Sequence, residues 1–526
     1  MMDIYRRIPA YARRLSTAEE MRSFDRRATE DFGIPSLDLM ERAGRHVFET
    51  VMKVLSPVEG RRVAVIAGKG NNGGDGFVAA RYLHEAGIGT TVILLARPES
   101  VTGDAARNLE RLYNAGIRVE VPESGAEIAR ELKNCSLVVD AILGTGLRGD
   151  VSGIAADAIQ AVNSSGRTVV AVDIPSGIDA NTGRVWGICV NAHYTVTFAL
   201  PKIGLIMYPG ALHTGEIIVA DIGIPHQLYA EAGVELVGAD AAGALLPARP
   251  PDAHKGTFGT VVVLAGAAGY TGAAALSSEA VLRAGAGISI LATPTSLQPI
   301  MSIKLTEVIT RGLPETDTQT ISSAALPLAL ELCKKASAVV LGCGLGTHAD
   351  TCRFVSGFVP LAEVPVVLDA DGLNCIAGNS SILEGKHGDL VITPHPGEMG
   401  RLLGITANDV QSDRIAAALE ASKRFNCVTV LKGARTIIAD NSGRVYVNPT
   451  GNSGLATAGT GDVLAGTIGG LISQGLRPVD AAVCGAYVHG LAGDIAAAKI
   501  GPAGMLAGDV SRSIPSALAE LYGTRG

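Results

Sequence analysis

The stretch "RVYVNPTGNSGLATAGTGDVLAGTIGGLISQGL" (residues 444–476) decides the fold of the second half of the chain. A short β-rich run leads into a loop without bulky side chains, and residues 461–476 then have helical periodicity. Residues 459–462 are therefore predicted to form a helix N-terminus, where free N–H groups and the helix dipole attract anions. Small residues allow a phosphate to approach these amides closely. Asp462 is then a candidate base that takes a proton from an attacking alcohol, and the alternative is a simple N-cap.

The same rhythm of an apolar strand followed by a glycine-containing polar loop continues in both halves of the chain. Strands separated by helices in this way predict βαβ units, parallel sheets and an α/β fold. Ligands are then expected beyond the carboxyl ends of the strands. The predicted strand regions are 61–68, 90–96, 136–143 and 168–175 in the first half, and 260–266, 336–347, 364–374, 388–399 and 427–436 in the second.

Local signals place the helices and the domain boundary. Thr17 and Glu20 form a capping box, which predicts a helix from about residue 18, and a second helix is expected after Pro35. Residues 270–287 are predicted to be a helix with an alanine-rich face. A linker is expected near residues 224–240, because the strand rhythm is interrupted there.

Composition narrows the functional classes. The chain has 526 residues, of which 47% are hydrophobic and 18% charged, so large packed cores and two large domains are expected. A net charge of −7 argues against nucleic-acid binding. No apolar run approaches the roughly 18 residues of a membrane span, and the N-terminus lacks the apolar segment of a signal peptide. The eight cysteines form no C-x-x-C pair, which favours reduced thiols in the cytoplasm.

Three polar loops at predicted strand ends mark a site in the first half, at residues 68–77, 140–150 and 172–179. The first matches a dinucleotide fingerprint, but a carboxylate at a helix start repels phosphate. Asn71, Asn72 and Asp75 therefore suit hydroxyls, an amide or a cation, and the alternative is that Asp75 caps a helix. Asp140 and Asp173 add carboxylates, and together with the Ser176 hydroxyl they suit a hard cation.

Further polar groups follow strands of the second half. The run Lys432 to Thr436 could hold nucleotide phosphates or ribose, and His395 lies between two prolines in a rigid turn. Asp369 and Asp371 could serve a metal or cap a helix. His254 and Lys255 are weaker candidates.

Several strings of this chain resemble a known enzyme family. "DADGLN", "TPHPGEM", "KGART", "NPTGNSGLATAGTGD" and "AAVCGAYVHGLAGD" resemble the ADP/ATP-dependent NAD(P)H-hydrate dehydratase, which has a ribokinase-like fold. "GKGNNGGDGF", "DAILGTGLRGD" and "VDIPSGID" resemble the NAD(P)H-hydrate epimerase domain. The resemblance implies two Rossmann-like domains: an epimerase domain with a parallel sheet at residues 1–235, and a ribokinase-like dehydratase domain at residues 236–526.

The resemblance also implies a reaction sequence. Reduced nicotinamide hydrates at C6 to R and S forms; the first domain would interconvert them, and the second would dehydrate the S form with ADP. Asp462 would activate the C6 hydroxyl for phosphorylation, which turns that hydroxyl into a good leaving group. The products would be NAD(P)H, AMP and phosphate. Asp173 is the candidate base of the epimerase. Potassium in the first domain, Mg²⁺ with ADP in the second and a homo-oligomer are expected.

The site residues implied by the resemblance fall into four groups. For the hydrate in the first domain they are Asn71, Asn72, Gly73, Gly74, Asp75, Gly144, Thr145, Gly146, Leu147, Arg148, Gly149, Asp150 and Asp173. For potassium they are Asn72, Asp140 and Ser176. For the hydrate in the second domain they are Ala273, Gly344, Gly346, His395 and Asp462. For the nucleotide they are Lys432, Gly433, Ala434, Arg435, Thr436 and Gly461.

Two alternatives remain open. The second half could be a ribokinase-like kinase of a small alcohol, which would leave a stable phosphorylated product. The first half could be a binding module without catalysis.

Overall fold

The computed structural model describes residues 8–57, 60–384 and 389–524. The chain divides into two compact units, Met1–Glu235 and Leu236–Gly526. Part of the N-terminal segment judged for a signal peptide, residues 1–7, lies outside the described residues, as does residue 388 at the start of one predicted strand region.

The first unit is built on a parallel sheet in the strand order β4-β3-β2-β5-β6-β7-β8, as the sequence predicts. The strands of that sheet are β2 (Arg62–Ala67), β3 (Gly89–Leu94), β4 (Arg118–Glu120), β5 (Leu137–Ala141), β6 (Thr168–Val172), β7 (Tyr194–Phe198) and β8 (Glu216–Ala220). The short strand β1 (Arg14–Leu15) of the same unit lies outside it. Its helices are α1 (Ala18–Glu30), α2 (Ser36–Leu55), α3 (Asn71–Glu85), α4 (Gly103–Asn114), α5 (Gly125–Leu132), α6 (Gly153–Ser164) and α7 (Ile203–Ile206).

The helix signals of the first unit are confirmed. Thr17 accepts from the Glu20 amide and Glu20 accepts from the Thr17 amide, so α1 begins at Ala18 behind a complete capping box. The second predicted helix is α2, which begins directly after Pro35.

The second unit has a mixed sheet. Strands β10 to β16 run parallel, in the order β16-β15-β14-β13-β10-β11-β12, and β17 and β18 continue antiparallel beside β16. The strand β9 (Val234–Leu236) lies at the boundary of the units, and its Val234 and Glu235 belong to the first unit. The strands of the second unit are β10 (Thr260–Leu264), β11 (Ile288–Pro294), β12 (Ile309–Leu313), β13 (Ala338–Leu341), β14 (Val366–Leu368), β15 (Leu390–Ile392), β16 (Val428–Leu431), β17 (Ile437–Ala439) and β18 (Val445–Val447). The helices are α8 (Ala239–Leu245), α9 (Thr271–Arg283), α10 (Gln298–Lys304), α11 (Leu326–Cys333), α12 (Ala349–Leu361), α13 (Asp371–Ile376), α14 (Pro396–Leu403), α15 (Ala407–Ser412), α16 (Arg414–Arg424), α17 (Thr460–Ser473), α18 (Pro478–Ile500) and α19 (Ala507–Tyr522).

The predicted linker near residues 224–240 is structured. It contains a turn of 3₁₀ helix, His226–Glu231, and the strand β9, whose Val234 and Glu235 pair with β1. Leu228 and Tyr229 in this segment are buried. The segment looks irregular in sequence because the strand is short and its apolar residues alternate with polar ones.

One helix is long and apolar enough to cross a membrane by composition, which the sequence analysis does not anticipate. It is α18, with a mean hydropathy of 1.3 in its most apolar window, of which 83% is buried inside the protein. Small residues dominate α18, and it packs against α17 and α19 as a core helix. The eight cysteines are free.

Candidate functional sites

The three polar loops of the first unit meet at one cavity of about 1020 Å³. Its walls come from the ends of β2, β5 and β6, because the carboxyl ends of parallel strands lie at one edge of a sheet. The sequence-predicted residues that line it are Asn71, Asn72, Asp75, Gly144, Thr145, Gly146, Leu147, Arg148 and Asp173. The structure therefore brings the loops together as predicted.

Four of the residues predicted to contact the hydrate lie outside this lining: Gly73, Gly74, Gly149 and Asp150. Two of them have a clear packing role. A Cβ on Gly73 would lie 2.0 Å from the carbonyl oxygen of Gly68, and one on Gly74 would lie 2.7 Å from the sulfur of Met40. These glycines let α3 approach its neighbours closely.

The first loop is largely helical. Helix α3 begins at Asn71 with Gly70 as N-cap, so Asp75 is the fifth helical residue and does not cap the helix. Its carboxyl faces the cavity. Desolvation raises the pKa of Asp75 well above its usual range, and the neighbouring Asp173 and Asp25 raise it further.

The residues predicted to hold potassium cluster below the cavity. Asp140 and Ser176 are buried, and Asp140 accepts hydrogen bonds from the Ser176 hydroxyl at 2.6 Å and its amide at 2.8 Å. Desolvation raises the pKa of Asp140 to about 6, since no basic side chain contacts it among the described residues. Asn72 lies against Gly144, and its buried Nδ2 atom has no partner in the described chain. The uncompensated Asp140 carboxylate and the amide oxygen of Asn72 are oxygen ligands of the kind that a monovalent cation takes, whereas Asn72 Nδ2 is a donor that needs an acceptor.

The strand-end carboxylate Asp173 has a partner that the sequence analysis missed. Lys202, which follows β7, is only 1% exposed and forms an ion pair with Asp173. Asp173 Oδ1 also accepts from the Thr197 hydroxyl and the Phe198 amide, and its backbone adopts a positive φ of 64°. An ion pair this deeply buried is costly to assemble, which is typical of a functional position.

The start of α17 has the form predicted from the glycine-rich stretch. The helix begins at Thr460 behind Gly459, whose φ is +92°, and no side chain caps it. Its first N–H groups are therefore available to a ligand. Asp462 lies in this first turn.

Buried polar groups surround Asp462. The Cys343 sulfur and carboxylate oxygens of Asp369 and Asp462 all lie within 4.8 Å of one another. Desolvation raises the pKa of Asp462 to about 6, and repulsion from Asp369 adds to the rise. A carboxyl in this range is ionised at neutral pH but retains basicity, as a general base requires.

Lys432 reaches the same place from the end of β16. Its Nζ lies 2.6 Å from Asp369 Oδ1 and 3.8 Å from Glu398 Oε2. A Cβ built on Gly461 would lie 3.4 Å from that Nζ. The lysine ammonium thus adjoins the open helix start, as expected for a phosphate-binding group.

The turn 432–436 is held by a residue that the sequence analysis missed. The Arg414 guanidinium donates to the carbonyl oxygens of Ala434 at 2.5 Å and Leu431 at 3.2 Å. Arg435 has a positive φ of 60° and donates to the Pro449 carbonyl at 2.8 Å. The turn and the glycine-rich stretch are therefore linked directly.

The glycine-rich stretch is anchored to α18. Asp494 accepts from the Gly451 amide and from the Asn452 side chain, both at 2.9 Å. Thr450 donates its hydroxyl to the Tyr487 carbonyl at 3.0 Å, and the Asn448 side chain donates to the Ala486 carbonyl at 3.0 Å. This loop of small residues is fixed by side chains at its beginning and by α17 at its end.

The residues of the second unit predicted to contact the hydrate, other than Asp462, take part in local packing, hydrogen bonding or helix capping. A Cβ on Gly344 would lie 2.9 Å from that of Ala273, so these two are neighbours. Gly346 donates its amide to Asp371 at 2.9 Å, which gives that carboxylate a structural role. His395 caps α14, with its Nδ1 accepting from two amides and about half of its side chain exposed.

His254 also caps a short 3₁₀ helix and is exposed, as is the adjoining Lys255. Neither has a contact with the residues around Asp462 among those described. The structure thus gives the pair a local structural role.

Lys202, Asp25, Cys343 and Arg414 are among the polar site groups that sequence reasoning overlooked. A lysine inside "FALPKIG" and a cysteine inside "LGCGLG" both follow apolar strands, and that position is the signal that could have found them. Asp25 and Arg414 lie in amphipathic helices, where charged residues are ordinarily solvent-exposed.

Known proteins match both units. Residues 36–204 match the family described as YjeF-related protein N-terminus, and residues 261–516 match the family described as NAD(P)H-hydrate dehydratase. The fold class is thus a two-domain α/β protein that joins a YjeF-type domain to a ribokinase-like domain. The chain belongs to the family of bifunctional NAD(P)H-hydrate repair enzymes, which confirms the resemblance seen in the motifs.

The relatives cover nearly the whole chain. The bifunctional NAD(P)H-hydrate repair enzyme Nnr of Moorella thermoacetica is 46% identical over 513 residues, covering 96% of this chain and 97% of that protein. The one of Thermofilum pendens is 41% identical and covers 97% of each chain. Among solved structures, the ADP/ATP-dependent NAD(P)H-hydrate dehydratase from Bacillus subtilis, co-crystallised with ATP and Mg²⁺, is 30% identical, with a TM-score of 0.48, and covers 54% of this chain and 97% of its own.

Proposed function

We propose that this protein repairs hydrated NADH and NADPH in two steps. The first unit interconverts the R and S hydrates, and the second dehydrates the S form at the expense of ADP, giving NAD(P)H, AMP and phosphate. The full-length relatives, all with the same bifunctional name, support this assignment. The observation that carries it is the placement of Asp462 in the uncapped first turn of α17, close to Lys432.

Each group of the second site has a chemical task in the proposed reaction. The free N–H groups of the α17 start bind phosphoryl oxygens, and Lys432 neutralises their charge. Asp462 takes the proton of the C6 hydroxyl as the oxygen attacks the terminal phosphorus of ADP. Phosphate then leaves C6 as the ring nitrogen donates its electron pair, and loss of a proton from C5 restores the dihydronicotinamide.

The donor set is compatible with a cation on the nucleotide. Asp369 and Asp462 present carboxylate oxygens within 4.8 Å of each other, which suits Mg²⁺, whereas the Cys343 thiol suits softer metals. Mg²⁺ would supply charge neutralisation on the phosphates. We propose Gly433, Ala434, Arg435 and Thr436 as nucleotide contacts and Ala273, Gly344, Gly346 and His395 as hydrate contacts.

In the first unit the cavity is the proposed site of the hydrates. The loop from Gly144 to Asp150, together with Asn71 to Asp75, would contact the substrate, and Asp173 is the candidate base. Asn72, Asp140 and Ser176 would hold K⁺, whose charge would fix the loops and favour ionised Asp140. We further propose a homo-oligomer and a cytoplasmic location.

The decisive experiment supplies purified protein with mixed hydrates, Mg²⁺, K⁺ and either ADP or ATP. Recovery of reduced-nicotinamide absorbance from both epimers supports both activities. Recovery from the S epimer alone leaves the first unit as a binding module. A stable phosphorylated product without recovered absorbance identifies the second unit as a small-molecule kinase.

A further inference from the structure

Helix α1 contributes an acidic side chain to the cavity of the first unit. Asp25 lines this cavity together with Asp75, Asp173 and Lys202. Met21 and Arg22, one turn earlier on the same face, also line it. The helix thus closes one wall and presents a carboxylate to whatever the cavity holds.

Two of these four charged side chains, Lys202 and Asp173, form an ion pair with each other. Lys202 donates to Asp173, to the Thr197 hydroxyl at 3.3 Å and to the Phe198 carbonyl at 3.1 Å, which uses all three of its ammonium protons. Asp173 Oδ1 accepts from the same lysine and from the strand beside it. This ion pair gives the cavity a fixed charge distribution.

The other two groups have no partner. Across residues 8–57, 60–384 and 389–524, the carboxyls of Asp25 and Asp75 accept no hydrogen bond and form no ion pair, although arginines are close in sequence. Arg26 pairs with Glu30 instead, and Arg27 pairs with Asp31 and Glu231. Asp75 is half-buried, so leaving its carboxyl unpaired costs stability and a role in folding does not explain it, whereas Asp25 is exposed to solvent at the cavity.

The pKa values of Asp25 and Asp75 are raised in a way that suits proton transfer. Desolvation raises the pKa of Asp25 to about 6, an effect that Lys202 opposes and Asp173 reinforces. Desolvation raises the pKa of Asp75 well above its usual range, and the neighbouring Asp173 and Asp25 add to the rise. At neutral pH Asp25 is therefore mostly ionised, whereas the environment of Asp75 favours its protonated form, so Asp25 suits the base and Asp75 the acid.

We propose that Asp25 is a catalytic residue of the epimerase site, in which it exchanges protons with the hydrate as the partner of Asp75. This inference rests on the proposed epimerase activity and assigns its proton transfers to Asp25 and Asp75, because Asp173 is held in an ion pair by Lys202.

The chemistry needs one donor and one acceptor. The protonated carboxyl gives its proton to the C6 hydroxyl as the C6–O bond breaks, and the ring nitrogen donates its electron pair to form a C6=N bond. Water then adds to C6 from the opposite face, the electron pair returns to nitrogen, and the ionised carboxylate takes the proton of that water. The product is the other epimer, and the two carboxyls have exchanged roles. The fixed Asp173 anion stabilises the cationic ring formed in between.

The test uses the full-length protein and R hydrate that has been separated from S by chromatography. Epimerisation is followed by the same chromatography without nucleotide for wild type, Asp25→Asn, Asp25→Glu and Asp75→Asn. Asp38→Asn is the control, since Asp38 is an exposed carboxylate at the start of α2 outside the cavity lining. Dehydration of S hydrate with ADP by the same samples reports the integrity of each preparation.

We expect Asp25→Asn to lower kcat for epimerisation about 100-fold or more, with KM changed less than about 3-fold. Asp25→Glu should recover part of kcat, and Asp38→Asn should match wild type. A wild-type rate in Asp25→Asn overturns the inference while the epimerase assignment stands. No epimerisation by wild type overturns both. If Asp25→Asn and Asp25→Glu lose the activity equally while melting lower than wild type, a structural role replaces the catalytic one.

Discussion

The Nζ atom of Lys432 lies 2.6 Å from Oδ1 of Asp369, and the two residues are 63 positions apart in sequence. The pair joins the ends of β14 and β16 beneath the open start of α17. Asp369 is almost fully buried, so its charge depends on this lysine. Breaking the pair from the lysine side leaves an uncompensated buried carboxylate.

We therefore expect Lys432→Ala to destabilise the second unit by about 3 kcal/mol. Urea unfolding of the full-length protein measures this change, and calorimetry with ADP should show weaker binding in the same variant. Lys334→Ala is the control, because Lys334 pairs with Glu331 on an exposed surface. Equal stabilities of the two variants would contradict the buried-pair interpretation.

Asp462→Asn should retain ADP binding and lower the dehydration rate by about 100-fold to 10,000-fold, since an amide takes no proton from the substrate hydroxyl. The measurement is recovery of reduced-nicotinamide absorbance from S hydrate. Asp480→Asn is the matched control: Asp480 also lies in the first turn of a helix, α18, and pairs with Arg477. Near-normal turnover by Asp462→Asn would show that Asp462 is not the general base.

Dehydration should depend on pH through Asp462. Its pKa is raised to about 6, and only the ionised form accepts a proton, so kcat should fall as pH drops through about 6. At pH 5 about one tenth of the wild-type activity is expected. The residual rate of Asp462→Asn should lack this inflection, and a wild-type rate independent of pH between 5 and 7 would show that the carboxylate is not the base.

Gly461→Ala separates ligand binding from stability. The added Cβ would lie 3.4 Å from Lys432 Nζ and 3.9 Å from Asp369 Oδ2, an ordinary contact in the free protein that occupies the space for a phosphate. Alanine in place of a helical glycine should stabilise by about 0.5–1 kcal/mol, while KM for ADP rises about tenfold. Gly508→Ala, at the same position of α19, should give the stabilisation without the change in KM.

Replacing K⁺ by tetramethylammonium should lower the epimerisation rate and leave dehydration unchanged, because the proposed cation site belongs to the first unit. The melting temperature of the first unit should fall as well, since a ligand bound to the folded state stabilises it. Asp140→Asn should abolish both responses to K⁺. Identical rates in the two salts would contradict the proposed site.

The sequence predicts strands well where burial makes them uniformly apolar. Strands β2 and β6 are mostly such runs, β5 is one up to Asp140, and all three lie within their predicted regions. Strand β7 escapes prediction because Thr195 and Thr197 interrupt its apolar pattern. Both threonines are nevertheless buried, and Thr195 satisfies its hydroxyl with the Thr214 carbonyl at 2.7 Å.

The sites are predictable to the extent that they follow strands. Asp140, Asp173 and Asp462 were identified because each follows an apolar run or begins a helix after a glycine-rich loop. Asp25 lies on a helix that lines the cavity, and nothing in its local pattern separates it from the solvent-exposed charges beside it. Whether a helix directs a charged face to water or to a cavity is decided by what packs against it.

If the second unit binds its nucleotide beside the start of α17, as proposed, the anchoring of residues 448–452 to α18 bears on how the nucleotide is selected. A loop already immobilised by Asp494 and Thr450 loses little conformational entropy when a diphosphate arrives. Selectivity must then come from steric and electrostatic fit to a rigid surface, with no ordering transition to reward one nucleotide over another.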